Sequence, residues 1–535
     1  MGRTIRTCSL SALAVALVST GAAAKRIEPS ALGAYVRARV ADKASDSATA
    51  VASYSAALTM ASDATTVAFR AYRAGVDGGD FALALRAAHA LDRTGIVPPD
   101  ARVLLYISAV RDRDWRAASA RLDQIEDDNG FDFLVPLFRG WLALATGEKP
   151  PSSKTLATAY VAENNILLGI VRGTSPDTVE AIKGLWTADP YRASTLRLAA
   201  AATLAARKQR PAAIDLLVGN DPTVAAARKA VERGKRVAGA VDSPARGAAF
   251  VLSRMAGDLM NEGSARSAVT LARFATFADP ASPNAKLVAA TALGLANRNV
   301  EALAFIEAVA RDPVYADLAR SLRIDRLEAL GRNEEAYAEA SSRAGRTIND
   351  RTRLGDIEAR RGRYVEAAQH YSTVVDAVGP EKASGQLWLA LGNALDQGGD
   401  WAAARPALER ALKLSPDDPR LLNQLAYGMA QRGEDIERAL VLLRRADAAN
   451  PDNAAITDSM GWAEFKNGRI ARAIELLERA RMLSPAEAEI AEHLGDVYWS
   501  AGRRVEARYA WAAARETADG ANLSRVEGKI DRGTR

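Results

Sequence analysis

The stretch GQLWLALGNALDQGGDWAAARPALERALKLSPDD, residues 385–418, decides the fold, because three further stretches repeat its pattern down to about residue 518. One alanine recurs in each stretch, in steps of 35, 34 and 34 residues, at Ala404, Ala439, Ala473 and Ala507. Another small residue stands twelve or thirteen positions earlier each time, at Gly392, Ala426, Gly461 and Gly495. Small residues at these offsets let two consecutive helices pack closely. The pattern therefore predicts four tandem helical hairpins.

The second helix of each hairpin has an apolar face and a defined end. A large apolar residue follows each recurring alanine by four positions, and another alanine follows by seven, which places them on one helix face. Three hairpins then close at Pro416, Pro451 and Pro485, where proline ends a helix. The period and these residues resemble the tetratricopeptide repeat family. The resemblance implies an all-α fold, an α-solenoid of tandem antiparallel helix hairpins.

The same period extends toward the N-terminus. It steps by 34 residues through Ala50, Ala84 and Ala118, and it resumes at Ala268 after an irregular region. Residues 233–247 are rich in glycine, proline and charge, which is typical of a junction. We therefore divide the chain into a degenerate repeat solenoid over residues 25–240, a regular one over 241–518, and a polar tail over 519–535 that either covers the last helix or remains mobile. The number of hairpins in residues 125–240 stays open.

Residues 1–24 are typical of a secretory signal peptide. Two arginines precede an apolar run over residues 10–18, and three alanines follow at 22–24. An uncleaved N-terminal anchor is the alternative. We expect a periplasmic or exported protein, with peripheral association with the outer membrane as a further expectation. No second run of about 18 apolar residues follows, so the sequence predicts no integral membrane span once the signal is removed.

The charge balance argues against nucleic-acid binding, and the absence of catalytic motifs argues against an enzyme. The 71 basic and 65 acidic residues leave a net charge of only +6, and the two signs are interspersed. His89, His370 and His493 are far apart in the sequence and lack the spacing of metal ligands. No phosphate-binding glycine loop or nucleophile elbow is present. We therefore expect no enzyme, no cofactor and no metal.

The family resemblance also implies a binding surface, because the first helices of such hairpins line the inner groove. It gives these groove candidates: Asn393, Asn423, Tyr427, Trp462, Phe465 and Trp499. Amide side chains can bind an extended peptide backbone, and aromatic side chains offer a large contact area at low entropic cost. The alternative is that the aromatic residues only pack the hairpins together.

The function that follows is a non-catalytic scaffold or adaptor that binds protein or peptide segments in its groove, in cell-envelope assembly or proteolysis. The C-terminal repeats resemble those of bacterial envelope proteins, some of which are adaptors for a protease that processes carboxyl termini. The resemblance implies an envelope protease and its substrates as partners. One alternative is a structural part of a secretion or polysaccharide-export machine. A less favoured one is an envelope enzyme with its site in residues 125–190.

Overall fold

The computed structural model describes residues 30–44, 46–128, 130–148, 158–173, 180, 182, 190–219, 221–343, 347–518 and 520–534. Within these ranges it contains 28 α-helices, one short 3-10 helix (Asp132–Leu134) and no β-strand. The chain forms two compact units, residues 1–330 and 331–535. The signal peptide predicted over residues 1–24 lies outside the described residues.

The first unit contains sixteen of the described helices. They are α1 (Ala31–Lys43), α2 (Ser47–Met60), α3 (Thr65–Gly78), α4 (Phe81–Thr94), α5 (Pro99–Arg111), α6 (Trp115–Asp127), α7 (Val135–Thr146), α8 (Thr158–Gly173), α9 (Pro190–Ala206), α10 (Arg210–Leu216), α11 (Pro222–Glu232), α12 (Pro244–Asn261), α13 (Ala265–Ala278), α14 (Pro283–Leu295), α15 (Asn299–Glu307) and α16 (Ala316–Ala329).

The second unit contains the other twelve described helices. They are α17 (Asn333–Ser341), α18 (Ile348–Arg360), α19 (Tyr364–Val378), α20 (Gly385–Gln397), α21 (Trp401–Leu414), α22 (Pro419–Arg432), α23 (Ile436–Ala449), α24 (Ala454–Lys466), α25 (Ile470–Leu483), α26 (Ala488–Ser500), α27 (Arg504–Arg515) and α28 (Gly520–Arg532).

Consecutive helices pair as hairpins where the period is regular. In the second unit the pairs are α18–α19, α20–α21, α22–α23, α24–α25 and α26–α27. The four recurring alanines that define the period are all fully buried in the second helix of their pair. At Gly461 an added Cβ would lie 2.7 Å from Cγ of Leu477, so only a glycine permits this helix contact. The predicted all-α fold of antiparallel helix hairpins is confirmed.

Aspartates set where several second helices begin. The side chains of Asp46, Asp80 and Asp114 each accept a hydrogen bond from the backbone N–H three residues later, at 2.9–3.0 Å. These residues are themselves 34 apart, and Asp400 does the same at the start of α21. An N-cap of this kind stabilises a helix by about 1 kcal/mol. The cap recurs with the repeat because each hairpin turns at the same point.

The first unit folds back on itself. Arg298 of the α14–α15 turn donates to the carbonyl oxygen of Asp77 at 2.5 Å, although the two residues are 221 apart in sequence. The rings of Phe81 and Phe277 lie 4.9 Å apart between their centroids. Helices α12 and α13 thereby pack against the early hairpins and form one core with them.

The division into compact units and the predicted change from degenerate to regular repeats fall at different points in the chain, and the latter stays a prediction. The junction at residues 233–247 leads directly into α12, whose Gly247 packs against the ring of Trp141 in α7. A side chain at Gly247 would overlap that ring. The compact units divide between Leu330 and Gly331, so the predicted boundary at residues 240/241 lies inside the first unit.

The C-terminal segment is helical over most of its length. Helix α28 packs on α27, and its Val526 is completely buried in the core of the last hairpins. Ile530, one helical turn later, contacts the same core. The described part of the polar tail, residues 520–534, therefore covers the last hairpin, with Val526 and Ile530 on the face that packs against it.

Candidate functional site

The candidate residues lie on the first helices of the last four hairpins, α20, α22, α24 and α26, whose shared surface we call the first-helix face. The hydroxyl of Tyr427 in α22 donates to Oε1 of Glu489 in α26 at 2.5 Å. The two residues are 62 apart in sequence, so this bond passes over the intervening helix α24. The face therefore brings three successive first helices within reach of one another.

Three of the predicted aromatic residues form one cluster around a histidine. The ring of Trp462 stacks on His493 at 4.2 Å with an interplanar angle of 20°, and Phe465 lies 5.3 Å from Trp462. Tyr427 approaches the other members at 6.1 Å from His493. The cluster joins α22, α24 and α26, so these aromatic side chains do hold hairpins together.

The imidazole of His493 forms a hydrogen bond with the carboxylate of Asp458 within the cluster. The His493 side chain is only 10% exposed, and Nδ1 lies 3.0 Å from Oδ2 of Asp458. Burial favours the neutral imidazole, but the charge of Asp458 and the hydrogen bond outweigh burial and raise the pKa of His493. Sequence reasoning considered His493 only as a metal ligand. The signal for its true partner was an offset of 35 residues, one repeat, from Asp458.

The hydroxyl of Tyr427 is fixed in its neutral form. Burial is the larger cause and the neighbouring Glu489 carboxylate the next, and both raise the pKa of Tyr427. The phenol is therefore a permanent hydrogen-bond donor to Glu489 and holds that carboxylate in place.

A pocket of about 480 Å³ opens beside this cluster on the first-helix face. It is lined by polar and small side chains and by Ile490, from α20, α22, α24 and α26 and their flanking loops. The lining residues with polar side chains are Gln397, Asn423, Gln424, Tyr427, Asn453, Asp458, Ser459, Ser484, Glu487 and Glu489. Two of the predicted residues, Asn423 and Tyr427, thus lie in a recess of the size that holds small ligands or side chains.

Four buried polar atoms on the first-helix face have no hydrogen-bond partner among the described residues. They are Nε1 of Trp388, Oδ1 of Asn393, Oδ1 of Asn423 and Nε1 of Trp462. Leaving a buried polar atom unpaired costs about 1–3 kcal/mol. Two are donors and two are acceptors, and three belong to predicted groove residues. The face is therefore short of hydrogen bonds of both kinds.

Trp499, the last predicted residue, is placed apart from the pocket and is covered by the chain itself. Its indole N–H donates to the carbonyl oxygen of Thr534 at 3.0 Å. Its ring packs 5.3 Å from that of Trp511 and carries the guanidinium of Arg504 at 3.8 Å. Trp499 thus anchors the C-terminal segment beyond α28.

Helix α28 also neutralises two acids of α26. Arg525 makes a bidentate contact with Glu492 at 2.7 and 2.8 Å, and Lys529 binds both Glu492 and Asp496 at 2.6 Å. Burial alone would raise the pKa of Glu492, but the two cations outweigh it, and the pKa is lowered. Across the residues that the structure describes, no group of three or more His, Cys, Asp or Glu side chains is arranged to hold a metal ion.

The hairpins define a class of protein built from tandem helical repeats, and two family models identify the repeat. Residues 385–428 and 459–521 each match a tetratricopeptide repeat model. These ranges include the small residues and alanines that predicted the hairpins. In these two ranges the chain consists of tetratricopeptide repeats, which support a protein-interaction scaffold.

Two curated relatives share part of the chain. A TPR repeat-containing protein of Pseudomonas aeruginosa is 36% identical over 72 residues, 14% of this chain and 12% of the relative. The cytochrome c-type biogenesis protein CycH of Rhizobium meliloti is 33% identical over 118 residues, 22% of this chain and 29% of the relative. The chain therefore spans less than a third of the length of either relative.

Solved structures of helical repeat proteins are also similar to the chain. MamA from Desulfovibrio magneticus RS-1 is 22% identical, with a TM-score of 0.27, over 33% of this chain and 95% of MamA. A chain of the APC/C hetero-tetramer Cut9–Hcn1 is 16% identical, with a TM-score of 0.39, over 94% of this chain and 96% of the other. At these TM-scores neither structure adds to the family-model matches.

Proposed function

We propose that the chain is a non-catalytic scaffold or adaptor that binds an extended segment of a partner protein on the first-helix face. The observation that carries this proposal is the set of four buried, unpartnered polar atoms on Trp388, Asn393, Asn423 and Trp462. An extended peptide presents carbonyl oxygens to indole donors and N–H groups to amide oxygens. A bound segment would satisfy both kinds of atom once these side chains turn toward it, because the four atoms are buried.

The pocket supports the same function. Its lining combines amides, hydroxyls and the ring of Tyr427, which suits one side chain of a peptide whose backbone follows the face. Tyr427 and Trp462 are held by their contacts with His493, so their rings are ordered before a partner binds. Order of this kind lowers the entropic cost of binding.

The chemistry of the face supports binding without catalysis. The imidazole of His493 is buried beneath Trp462 and paired with Asp458, so it is not presented to a substrate as a general base. Glu492 is likewise paired with Arg525 and Lys529. The buried groups of the face that have no partner among the described residues are amides and indoles, which bind and do not transfer protons at neutral pH.

We further propose that this scaffold acts in the cell envelope, where an envelope protease and its substrates are its partners. The signal-like pattern of residues 1–24 supports export, and the name of one relative, a cytochrome c-type biogenesis protein, also supports a role in protein assembly. No helix in the described part of the chain combines the length and apolar character needed to cross a membrane. Fusion of residues 1–40 to alkaline phosphatase, which is active only after export, tests this placement. An inactive fusion of normal abundance would contradict it.

Site-specific photocrosslinking tests the binding function in the full chain. Benzoyl-phenylalanine at Gln424, another residue of the pocket lining, should capture a defined partner segment, whereas the same group at Tyr509, which is 74% exposed on α27, should not. Trp462→Phe keeps a ring and removes only the indole donor, and it should reduce capture about fivefold, as expected for about 1 kcal/mol. Equal capture from both positions, or capture unaffected by Trp462→Phe and Asn423→Ala, would refute the proposal.

A further inference from the structure

The pocket on the first-helix face has charge of a single sign. Among the described residues that line it, Asp458, Glu487 and Glu489 are acidic, and none is lysine or arginine. Both oxygens of Asp458 face Nδ1 of His493, so this carboxylate is already paired. The charge that is left for a ligand is that of Glu487 and Glu489.

The carboxylate of Glu489 is held in position and has one oxygen available to a cation. The hydroxyl of Tyr427 holds its Oε1 at 2.5 Å, and Oε2 receives no hydrogen bond from any described residue. Glu487 precedes it by two residues, at the residue before α26 begins, and its side chain makes no capping hydrogen bond. Two carboxylates at the pocket rim, one fixed by a phenol, form a geometry that accepts the multiple N–H donors of an ammonium or guanidinium group.

The same helix shows that cations bind along this row of acids. One turn beyond Glu489, Glu492 and then Asp496 are bound by Arg525 and Lys529, which lie four residues apart on α28. All four contacts are 2.6–2.8 Å long. Farther along α26, the acidic residues are thus paired with basic residues of the chain itself, whereas at its start Glu489 faces the pocket.

We infer that the segment bound on the first-helix face presents a lysine or arginine side chain to Glu487 and Glu489 in this pocket. The inference rests on the proposed function, since it names which segment the face selects. A partner's carboxylate, including a free C-terminus, is disfavoured because it would meet the like charges of Glu487 and Glu489, whereas the nearby cation Arg525 is already bound to Glu492. An aliphatic side chain is disfavoured because it would cover amides and carboxylates without pairing them.

Peptide selection on the full-length chain tests the inference. A phage library of random 12-residue peptides should yield binders enriched in lysine or arginine at one position. Synthetic copies of the best binders, with that residue replaced by norleucine, should bind about tenfold more weakly by fluorescence anisotropy, as for a paired charge that is partly shielded from water. The difference should shrink as salt increases, because the rim is exposed.

Matched variants locate the effect. Glu487→Gln with Glu489→Gln should abolish the difference between the basic and norleucine peptides, while glutamine still accepts the hydrogen bond of Tyr427. Glu475→Gln with Glu506→Gln makes the same change in net charge on the second helices α25 and α27, and it should leave the difference intact. Both pairs of variants are expected to keep the norleucine peptide's affinity.

The outcomes separate this inference from the function on which it rests. Binders without basic enrichment, or a tenfold difference that survives Glu487→Gln with Glu489→Gln, would overturn the inference. Those binders would still support the proposed function if Trp462→Phe and Asn423→Ala weakened them. A library that yields no binder above the level of an unrelated protein would contradict both.

Discussion

Replacement of Gly461 by alanine should destabilise the C-terminal hairpins, although alanine is the better helix former. Gly461 lies in α24, where an added Cβ would be 2.7 Å from Cγ and 3.0 Å from Cδ2 of Leu477 in α25. The backbone nitrogen of Leu477 would be 3.3 Å away. Leu477 is completely buried, so its side chain has no free space into which to move. The two helices must therefore separate.

The magnitude follows from two opposing effects. Alanine in place of glycine in a helix interior gains about 1 kcal/mol through backbone entropy. Overpacking of a filled core costs about 1–3 kcal/mol, and the upper part of that range applies because the clash reaches the backbone of α25 as well as the side chain. The net loss for Gly461→Ala should be about 1–2 kcal/mol.

A control and a double-mutant cycle make the test specific. Gly257 lies inside α12 with no neighbour within 4 Å of an added Cβ, so Gly257→Ala should instead stabilise its unit by about 0.5–1 kcal/mol. Leu477→Ala removes the side-chain atoms that clash. The loss of stability in the double variant should therefore be about 1 kcal/mol smaller than the sum of the losses in the two single variants. Urea denaturation gives the free energies, and hydrogen exchange assigns them to α24 and α25. A Gly461→Ala chain as stable as the wild type, or an additive cycle, would refute the packing argument.

Two further perturbations test contacts of the last hairpins. The pKa of His493 is raised above its unfolded value of 6.5, so the pairing with Asp458 stabilises the second unit fully below pH 6.5 and is lost as pH rises through the native pKa. Urea midpoints should fall over that range in the wild type more than in Asp458→Asn, and parallel profiles would contradict the pairing. Gly533 has φ of +76° and packs against the ring of Trp499, so Gly533→Ala should speed hydrogen exchange in α28. Gly528→Ala meets only the flexible end of Arg532 and should slow that exchange, and equal effects of the two variants would argue against the contact with Trp499.

The hairpins could be predicted from the sequence because each one is fixed by residues close together in the chain. The contact between Gly461 and Leu477 spans 16 residues, and the capping aspartates act over three. Such contacts appear in the sequence as a period. The candidate site could be predicted only in part, since the repeat register gave Asn423, Tyr427 and Trp462 but not how they meet.

The contacts that could not be predicted from the sequence join residues that are one or more repeats apart. The partnership of His493 with Asp458 spans one repeat, and that of Tyr427 with Glu489 nearly two. Either pair could have formed with other neighbours of the same type, because the sequence does not state how far successive hairpins turn. Whether the polar tail docks stayed open for a similar reason, since Val526 becomes a core residue only when α27 is beside it.

The sequence by itself determined the all-α fold, the hairpin length and the residues that meet within each hairpin, because these depend on helix geometry and on a small residue at each crossing. Only the tertiary structure decided that the described residues up to 330 close into one unit, through contacts such as that of Asp77 with Arg298. It also decided that acids and unpartnered amides share one face beside a pocket. Both outcomes depend on small rotations summed over many hairpins, and such sums leave no local pattern in a sequence.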